Sequence, residues 1–386
     1  MTKSDKLALL NVSCAEQRLA NLKMLLAEEK KPPTKLPQFA NNHIHTTYSF
    51  SPYSPAAAIY FAREAGLETA GIMDHDTIGG ALEFRRAGEI AGVSTTCGIE
   101  CRVRLDDAPL AGRRLNNPDQ TGIAYMAVHS VMPDKIGFVQ EAFAPLRAKR
   151  NRRNREMAER INKLARPLGV HLDFEQDVLP CSLYHQGGTV TERHILWALA
   201  GKTIAAFGAS GLGVILAELG IPLAESEKAK LVSRNASLQY DLLGIFKAHL
   251  VSKFYIPATD ECMHLRELIQ LAGQAGAILC YAYLGDVGES VTGDKRREQY
   301  EDSFLEELFA VLKAEGIRGV TYMPSRNTPG QIARLRGLCA QHNILEISGE
   351  DINSPGQSFI CEKLTDPRFS HLADATWSLI EREKRG

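Results

Sequence analysis

Gly71-Ile72-Met73-Asp74-His75-Asp76-Thr77 is the stretch that decides the fold. Residues 69–73 form an apolar run of strand length, and the run delivers an Asp-His-Asp cluster at its C-terminal end. Three ionisable side chains in a row make a poor core. In parallel α/β folds the C-terminal ends of the strands are where active sites form. The competing reading is a polar turn whose aspartate caps the next helix. The flanks favour the first. Residues 55–65 and 80–91 carry helical patterns on either side, so helices and strands alternate as in βαβ units around a largely parallel sheet.

Other segments repeat the theme of an apolar run ending in a ligand-type side chain. In His43-Ile44-His45-Thr46 the two imidazoles face the same way on an extended strand, because side chains alternate with period two, and both can reach one metal ion. Cys97-Gly98-Ile99-Glu100 ends in a carboxylate, and the run from Ala124 to Val128 ends in His129. The run from Ile278 leads through Tyr283 to Asp286, and the run from Ile344 leads to Glu350 and Asp351. Alone, each has a bland account, such as a surface histidine pair or a buried histidine bonded to backbone. On one nearly closed sheet these ends converge. That favours a carboxylate–imidazole site for Zn, Mn or Fe, able to acidify a bound water and clamp a phosphate oxygen.

The alternating pattern spans residues 38–132 and resumes over 255–386, with helices at 264–275, 300–315 and 329–341 and strands at 277–282, 319–323 and 344–348. Between them, residues 133–254 hold few strand signals and read as a mostly helical insertion, with a break or kink expected at Pro145. Phe207-Gly208-Ala209-Ser210-Gly211-Leu212-Gly213 reads as a helix-joining turn, since it lacks the ending of a P-loop. Residues 1–37 form a leader helix and linker, closed by Pro32, Pro33 and Pro37, suited to packing or to a homo-oligomer contact.

Of the 386 residues, 44% are hydrophobic and 24% charged, which excludes wholesale disorder and fibres. Lys+Arg is 45 and Asp+Glu is 46, giving a net charge of −1. A surface that coats nucleic acid needs a basic excess, so the balance counts against that partner without excluding a local groove. Eight cysteines without a Cys-x-x-Cys pair suit reduced thiols. No apolar run is read as approaching the ~20 residues of a membrane span, and no signal-peptide core follows Met1. The expected location is the cytoplasm, with no membrane partner.

The motifs resemble those of the PHP (polymerase and histidinol phosphatase) family, in its metal-dependent phosphoesterase branch. The likeness rests on His43, His45, Thr46, Ser49, Ser54 and Pro55, then Asp74, His75, Asp76, Thr77 and Gly79, then Gly98 and Glu100, in that order. Thr191-Glu192-Arg193-His194-Ile195 is similar to a stretch of that branch's helical insertion where Arg193 and His194 would face substrate phosphate. The resemblance implies a distorted (β/α)7 barrel, TIM-like, with up to three metals at the strand ends. It implies a first metal held by His43, His45, Glu100 and Asp351. A second would share Glu100 with His129 and use a histidine where Tyr283 stands. A third would use His75 with residues at the places of Phe50 or Ser51 and of Asn353. Phe50 cannot ligate a metal and Asn353 is neutral, so the expectation is one or two divalent ions per chain, with Asp286 as a substitute carboxylate.

The leading functional expectation is a hydrolase of a small phosphate ester, with Asp74 or Asp76 orienting groups or carrying a proton. Arg326 would anchor phosphate through bidentate hydrogen bonds. Lys295 and Arg296 sit in a polar loop that would close over it, or stay solvated. The basic run from Arg147 to Arg155 reads as the solvated face of a long helix or as a phosphate contact. A metal- or ligand-binding protein with reduced or lost catalysis is one alternative. A nuclease acting on nucleic-acid ends is the other.

Overall fold

The computed structural model describes residues 1–105, 110–117, 119–232, 237–287 and 298–385. The leader is two helices, α1 (Lys3–Leu10) and α2 (Ala15–Ala27), where one was expected. Both lie on the barrel. Leu10, Leu19, Leu22 and Leu25 enter its main core, and the buried Arg18 guanidinium donates to both oxygens of Glu83, at 2.8 and 2.5 Å.

The sheet uses β1 (Asn41–Ile44), β2 (Thr69–His75), β3 (Ser94–Arg104), β4 (Ile123–His129), the two-residue β5 (Met263–His264), β6 (Ile278–Ala282), β7 (Gly319–Tyr322) and β8 (Leu345–Ser348). Their order is β1-β2-β3-β4-β6-β7-β8, with β5 paired to β3. A parallel bridge from Ile44 to Ile352 brings the two edges together, and the Ile352 N–H donates to the His43 carbonyl at 3.1 Å. The result is a nearly closed seven-strand barrel carrying a helical insertion, as the motifs implied. β4 runs antiparallel to both neighbours, a reversal that the largely parallel reading did not contain.

The barrel helices are α3 (Pro55–Glu64), α4 (Ala81–Ala91), α9 (Leu265–Gln274), α10 (Leu305–Ala314) and α11 (Pro329–His342). Their sequences carry their own boundaries. Ser54 caps α3 by accepting from the Ala57 N–H, with Pro55 at its first turn. The last helix, α12 (Ser370–Arg385), closes the end of the barrel remote from the motif residues. Its Leu379 plugs an interior ring of Met73, Ala127, Cys280 and Ile347, and its Glu383 accepts from the Thr96 hydroxyl and the Cys97 N–H.

The insertion contributes α5 (Ile136–Ala165), α6 (Glu192–Glu218), α7 (Glu225–Val232) and α8 (Leu238–Phe254) around a second core. Pro145 lies inside α5 without ending it, which corrects the expected break. Gly208, at φ 62° and ψ 171°, interrupts α6 where the glycine-rich turn was read. By length and composition α6 is one helix apolar enough to cross a membrane, with Lys202 its only charge between Ile195 and Leu216. That corrects the reading that no run comes near such a span. Here Leu196, Leu199, Leu212 and Leu216 are buried in the insertion core.

The basic face of α5 is divided. Arg147, Arg150 and Arg153 are buried, Lys149 is half-buried, and Arg152 and Arg155 are exposed. Arg150 binds Asp76 at 2.5 Å and Glu192 at 3.0 Å; Arg153 binds Glu192 at 2.7 Å and Glu261 at 2.6 Å. Arg102 of β3 reaches Glu261 at 3.5 Å. Three guanidiniums and three carboxylates thus join insertion to barrel. The inner half of the run is a buried joint rather than a solvated face.

Candidate metal centre

β1 is short and pairs irregularly with β2 at Asn41 and Ile44, and it carries His43 and His45 to the rim. Gly349, just past β8, lets the backbone approach them: a Cβ there would stand 2.6 Å from both the His43 Cβ and its amide nitrogen. Glu100 lies across β2 from β1, paired in register with His75. Ligand atoms of His43, His45 and Glu100 all fall within 4.8 Å of one another. His75 Nδ1 is 2.9 Å from Glu100 Oε2, and His45 Nε2 is 3.2 Å from Asp351 Oδ1.

His129 enters from below. Because β4 is reversed, the end of its apolar run does not reach the rim. Ala127 pairs with Glu100, so His129 lies two residues deeper on the same inward face. Its Nε2 is buried without a hydrogen-bond partner among the described residues, which is costly unless something else uses the lone pair. An orphaned imidazole nitrogen beneath two imidazoles and two carboxylates fits a divalent cation of the Zn, Mn or Fe type.

The charges agree with that fit. Burial works against a charge on His43, but the carboxylates of Glu100, Asp351 and Glu350 prevail and push its imidazole up to about 9. Burial would raise Glu100, yet His43 and His75 hold it well below the usual carboxylate range. Asp351, also opposed by burial, is held low by His45, His43 and Arg193. Burial and His43 together push His129 down to about 3, and burial with His75 lowers His45. Burial and neighbouring imidazoles thus favour the neutral form of His45 and His129, the form that ligation requires, while the carboxylates favour the charged form of His43.

Asp74 lies behind this cluster, fully buried. It accepts from the Thr46 N–H at 2.7 Å, the Thr46 hydroxyl at 2.6 Å and the Ser49 hydroxyl at 2.5 Å. Ser49 in turn stands 3.3 Å from His45 Nδ1. Asp74 is placed to orient His45 and not to reach a substrate. Asp76, at φ 52°, gives its N–H to the Glu100 carbonyl and its carboxylate to Arg150; it too faces away from the open space.

That space is a cavity of about 990 Å³ between the barrel rim and the insertion. Arg193 and Arg326 line it from opposite sources, the start of α6 and the loop after β7. Arg326 Nε donates to the Leu284 carbonyl at 3.1 Å. His194 does not line it. As the third residue of α6, its Nδ1 accepts from the Thr191 N–H and caps the helix, which corrects its reading as a phosphate contact. Asn353 bridges instead of ligating: it donates to Asp351 at 2.5 Å and accepts from Arg193 at 2.6 Å. Asp286 accepts from the Tyr300 N–H at 2.6 Å and is not part of the cavity wall. Tyr283 donates its hydroxyl to Asp302 at 2.6 Å. Phe50 packs edge-on to His194, Trp197 and Tyr240. Lys295 and Arg296 lie outside the described residues.

Sequence reasoning missed Lys247, Asp119 and Tyr125, which also line the cavity. Tyr125 lies within the run before His129 but reads there only as apolar strand, Asp119 stands in no motif, and Lys247 comes from α8 of the insertion.

Two solved structures share the fold. One is a candidate metal-dependent phosphoesterase from Bifidobacterium adolescentis ATCC 15703, 23% identical, with a TM-score of 0.55 over 87% of this chain and 96% of that one. The other is an amidohydrolase from Chromobacterium violaceum with bound sulfate and no metal, 15% identical, with a TM-score of 0.56 over the same 87% and 96%. No curated protein matches the chain. The PHP domain matches residues 41–317, well over half the length. With that match, and with the motif histidines gathered at the rim of a nearly closed barrel, the chain belongs to the PHP domain family.

Proposed function

We propose that the chain is a metal-dependent hydrolase acting on a small phosphate ester. The observation that carries the proposal is the orphaned His129 nitrogen buried beneath His43, His45 and Glu100, of which His43 and Glu100 line a cavity whose walls carry arginines. The chemistry named for the Bifidobacterium neighbour supports the same reading. His43, His45, Glu100 and Asp351 would hold a first cation, and Glu100 with His129 a second, with His75 beside Glu100. When bound, a divalent ion supplies Lewis acidity, drawing charge from a phosphoryl oxygen and making water a better acid. The chain's own residues do the rest. Arg193 and Arg326 offer planar, fixed donors to phosphate oxygens from two sides. Ser49 and Asp74 hold the His45 ring in place. The insertion roofs the cavity and limits the water that competes with the reaction.

Phe50, Tyr283 and Asn353 are committed elsewhere, which favours one or two ions over three. Elemental analysis of purified protein, coupled to phosphate release from a broad ester panel, tests both points. The expected result is one or two equivalents of metal and turnover that His43→Ala abolishes. Three equivalents retained through desalting would overturn the reduced cluster. Metal binding with no phosphate release from any ester would favour the binding-protein reading.

A further inference from the structure

Arg326 lines the cavity and is suspended from the loop after β6. Its Nε donates to the Leu284 carbonyl at 3.1 Å, and Asn327 Nδ2 donates to the same oxygen at 2.9 Å. The two terminal nitrogens of the Arg326 guanidinium make no hydrogen bond or ion pair to a described residue. Glu301, just before α10 and with no exposed surface, grips the other side of Leu284. Its Oε1 accepts from the Leu284 N–H at 2.7 Å and from the Gly285 N–H at 3.3 Å. Its Oε2 and the Tyr281 hydroxyl are both buried without a hydrogen-bond partner among the described residues. Burial pushes Glu301 up to about 7, although the two N–H groups pull it down. A carboxyl so fully desolvated is costly, and the backbone it holds is what it has to offset that cost. The loop is also close-packed on the Arg326 segment. Gly285 stands at φ 74°, and a Cβ there would lie 2.7 Å from Asn327 Nδ2.

We propose that Glu301 is the positioning residue of Arg326: by holding the Leu284 and Gly285 N–H groups it fixes the carbonyl from which the guanidinium hangs, and so presets two free donor nitrogens at the cavity wall. The proposal rests on the phosphoesterase reading for the anion that Arg326 meets, and deepens it. An arginine loses rotamer freedom when it binds an anion, and one already fixed has less to lose. Asp302 braces the same loop, accepting from the Tyr283 hydroxyl at 2.6 Å and the Asp286 N–H at 3.0 Å, but Leu284 itself is held through Glu301.

Two readouts on the full chain test it. The first needs no ligand. The Arg326 Nε–H signal in nitrogen-correlated NMR, assigned by its loss in Arg326→Lys, should exchange slowly with solvent in the wild type and roughly 10-fold faster in Glu301→Ala, as the loss of one net hydrogen bond allows. Glu301→Gln, close in shape to the protonated acid, keeps an acceptor for both N–H groups and should restore slow exchange. Gly285→Ala disturbs the same loop without touching the carboxyl and should match Glu301→Ala, so it carries the test even where Glu301→Ala fails to fold. The second readout is calorimetric titration of inorganic phosphate into the metal-loaded protein. Glu301→Ala should weaken binding by roughly 2- to 10-fold, the ordering cost of one rotamer-rich side chain. In an Arg326→Met background it should add nothing. Melting temperature and metal content show that each variant is folded. Slow exchange that survives in a folded Glu301→Ala, or losses that add in the double variant, overturns the positioning role. A metal-loaded wild type that binds no phosphate, with exchange behaving as expected, overturns the phosphoesterase reading and upholds the grip on Arg326, so the two failures are distinguishable.

Discussion

Replacing Asp74 by alanine should damage stability and metal binding together, and the structure sets the size of each. The carboxyl is fully buried, as are Thr46 and Ser49, and it takes three hydrogen bonds of 2.5 to 2.7 Å from them. Removing it leaves the Thr46 N–H with no alternative acceptor, at about 2 kcal/mol for a buried unpaired donor. The two hydroxyls can rotate, so each costs about 1 kcal/mol, and the expected loss is about 4 kcal/mol. Urea unfolding in EDTA reads this directly, free of any contribution from bound metal. Ser49, released from Asp74, would no longer fix its contact with His45 Nδ1, so metal affinity should fall by roughly 10- to 100-fold. Asp74→Asn keeps one acceptor for the Thr46 N–H and should recover about half of the stability. A loss below about 1 kcal/mol with unchanged metal affinity would refute the claim that Asp74 works by orienting His45.

Without metal, stability should fall as pH rises from neutral to about 10. His43 has a folded value of about 9 against 6.5 unfolded, so its contribution is complete below 6.5 and lost as pH passes 9, about 3 kcal/mol in all. Thermal melts in EDTA should show this decline and His43→Gln should flatten it; a wild-type melt that rises over the same range speaks against the assignment. Glu192→Gln strips the shared partner from Arg150 and Arg153, and a buried pair broken on one side costs about 3–5 kcal/mol. Limited proteolysis should then cut within residues 133–254 first, and an unchanged cleavage pattern would count against the ionic joint. Gly349→Ala drives a methyl group into the His43 backbone. It should lower metal content, as elemental analysis would show, and unchanged metal content would count against the close approach.

The barrel was legible because each parallel strand writes its own ending. β2 is apolar up to Met73 and ionisable after it, as a core-to-rim transition requires, and the flanking helical patterns favour that over a capping turn. Direction is not written that way. The run of β4 looks like the others, yet it is paired antiparallel on both sides, so His129 reaches the centre from beneath. The basic face of α5 fails for a related reason. Its buried arginines recur every three residues, as a solvated face also would. What buries them is the position of Asp76, Glu192 and Glu261, which are distant in sequence.

The places where the family resemblance expects ligands and this chain has none share a physical pattern. Phe50 belongs to the insertion core although it follows β1. Tyr283 is tied to Asp302, just before α10. Asn353 joins Arg193 of the insertion to Asp351 of the rim. That last role needs a side chain that accepts from a guanidinium and donates to a carboxylate at once. An ionised aspartate or glutamate at 353 could only accept, and it would set a second negative charge against Asp351. The amide that is a poor metal ligand is thus well suited to hold the insertion's arginine over the first metal position. The loss of one ligand set and the close seating of the cationic insertion are then two consequences of the same residue choice. Asn353→Asp should bring this out: repulsion from the new carboxylate would raise Asp351 from its low value, and Arg193 would pair with residue 353 instead of facing the cavity. Phosphate affinity should drop several-fold while metal content holds or rises, and a variant that gains phosphate affinity would break the link between the two.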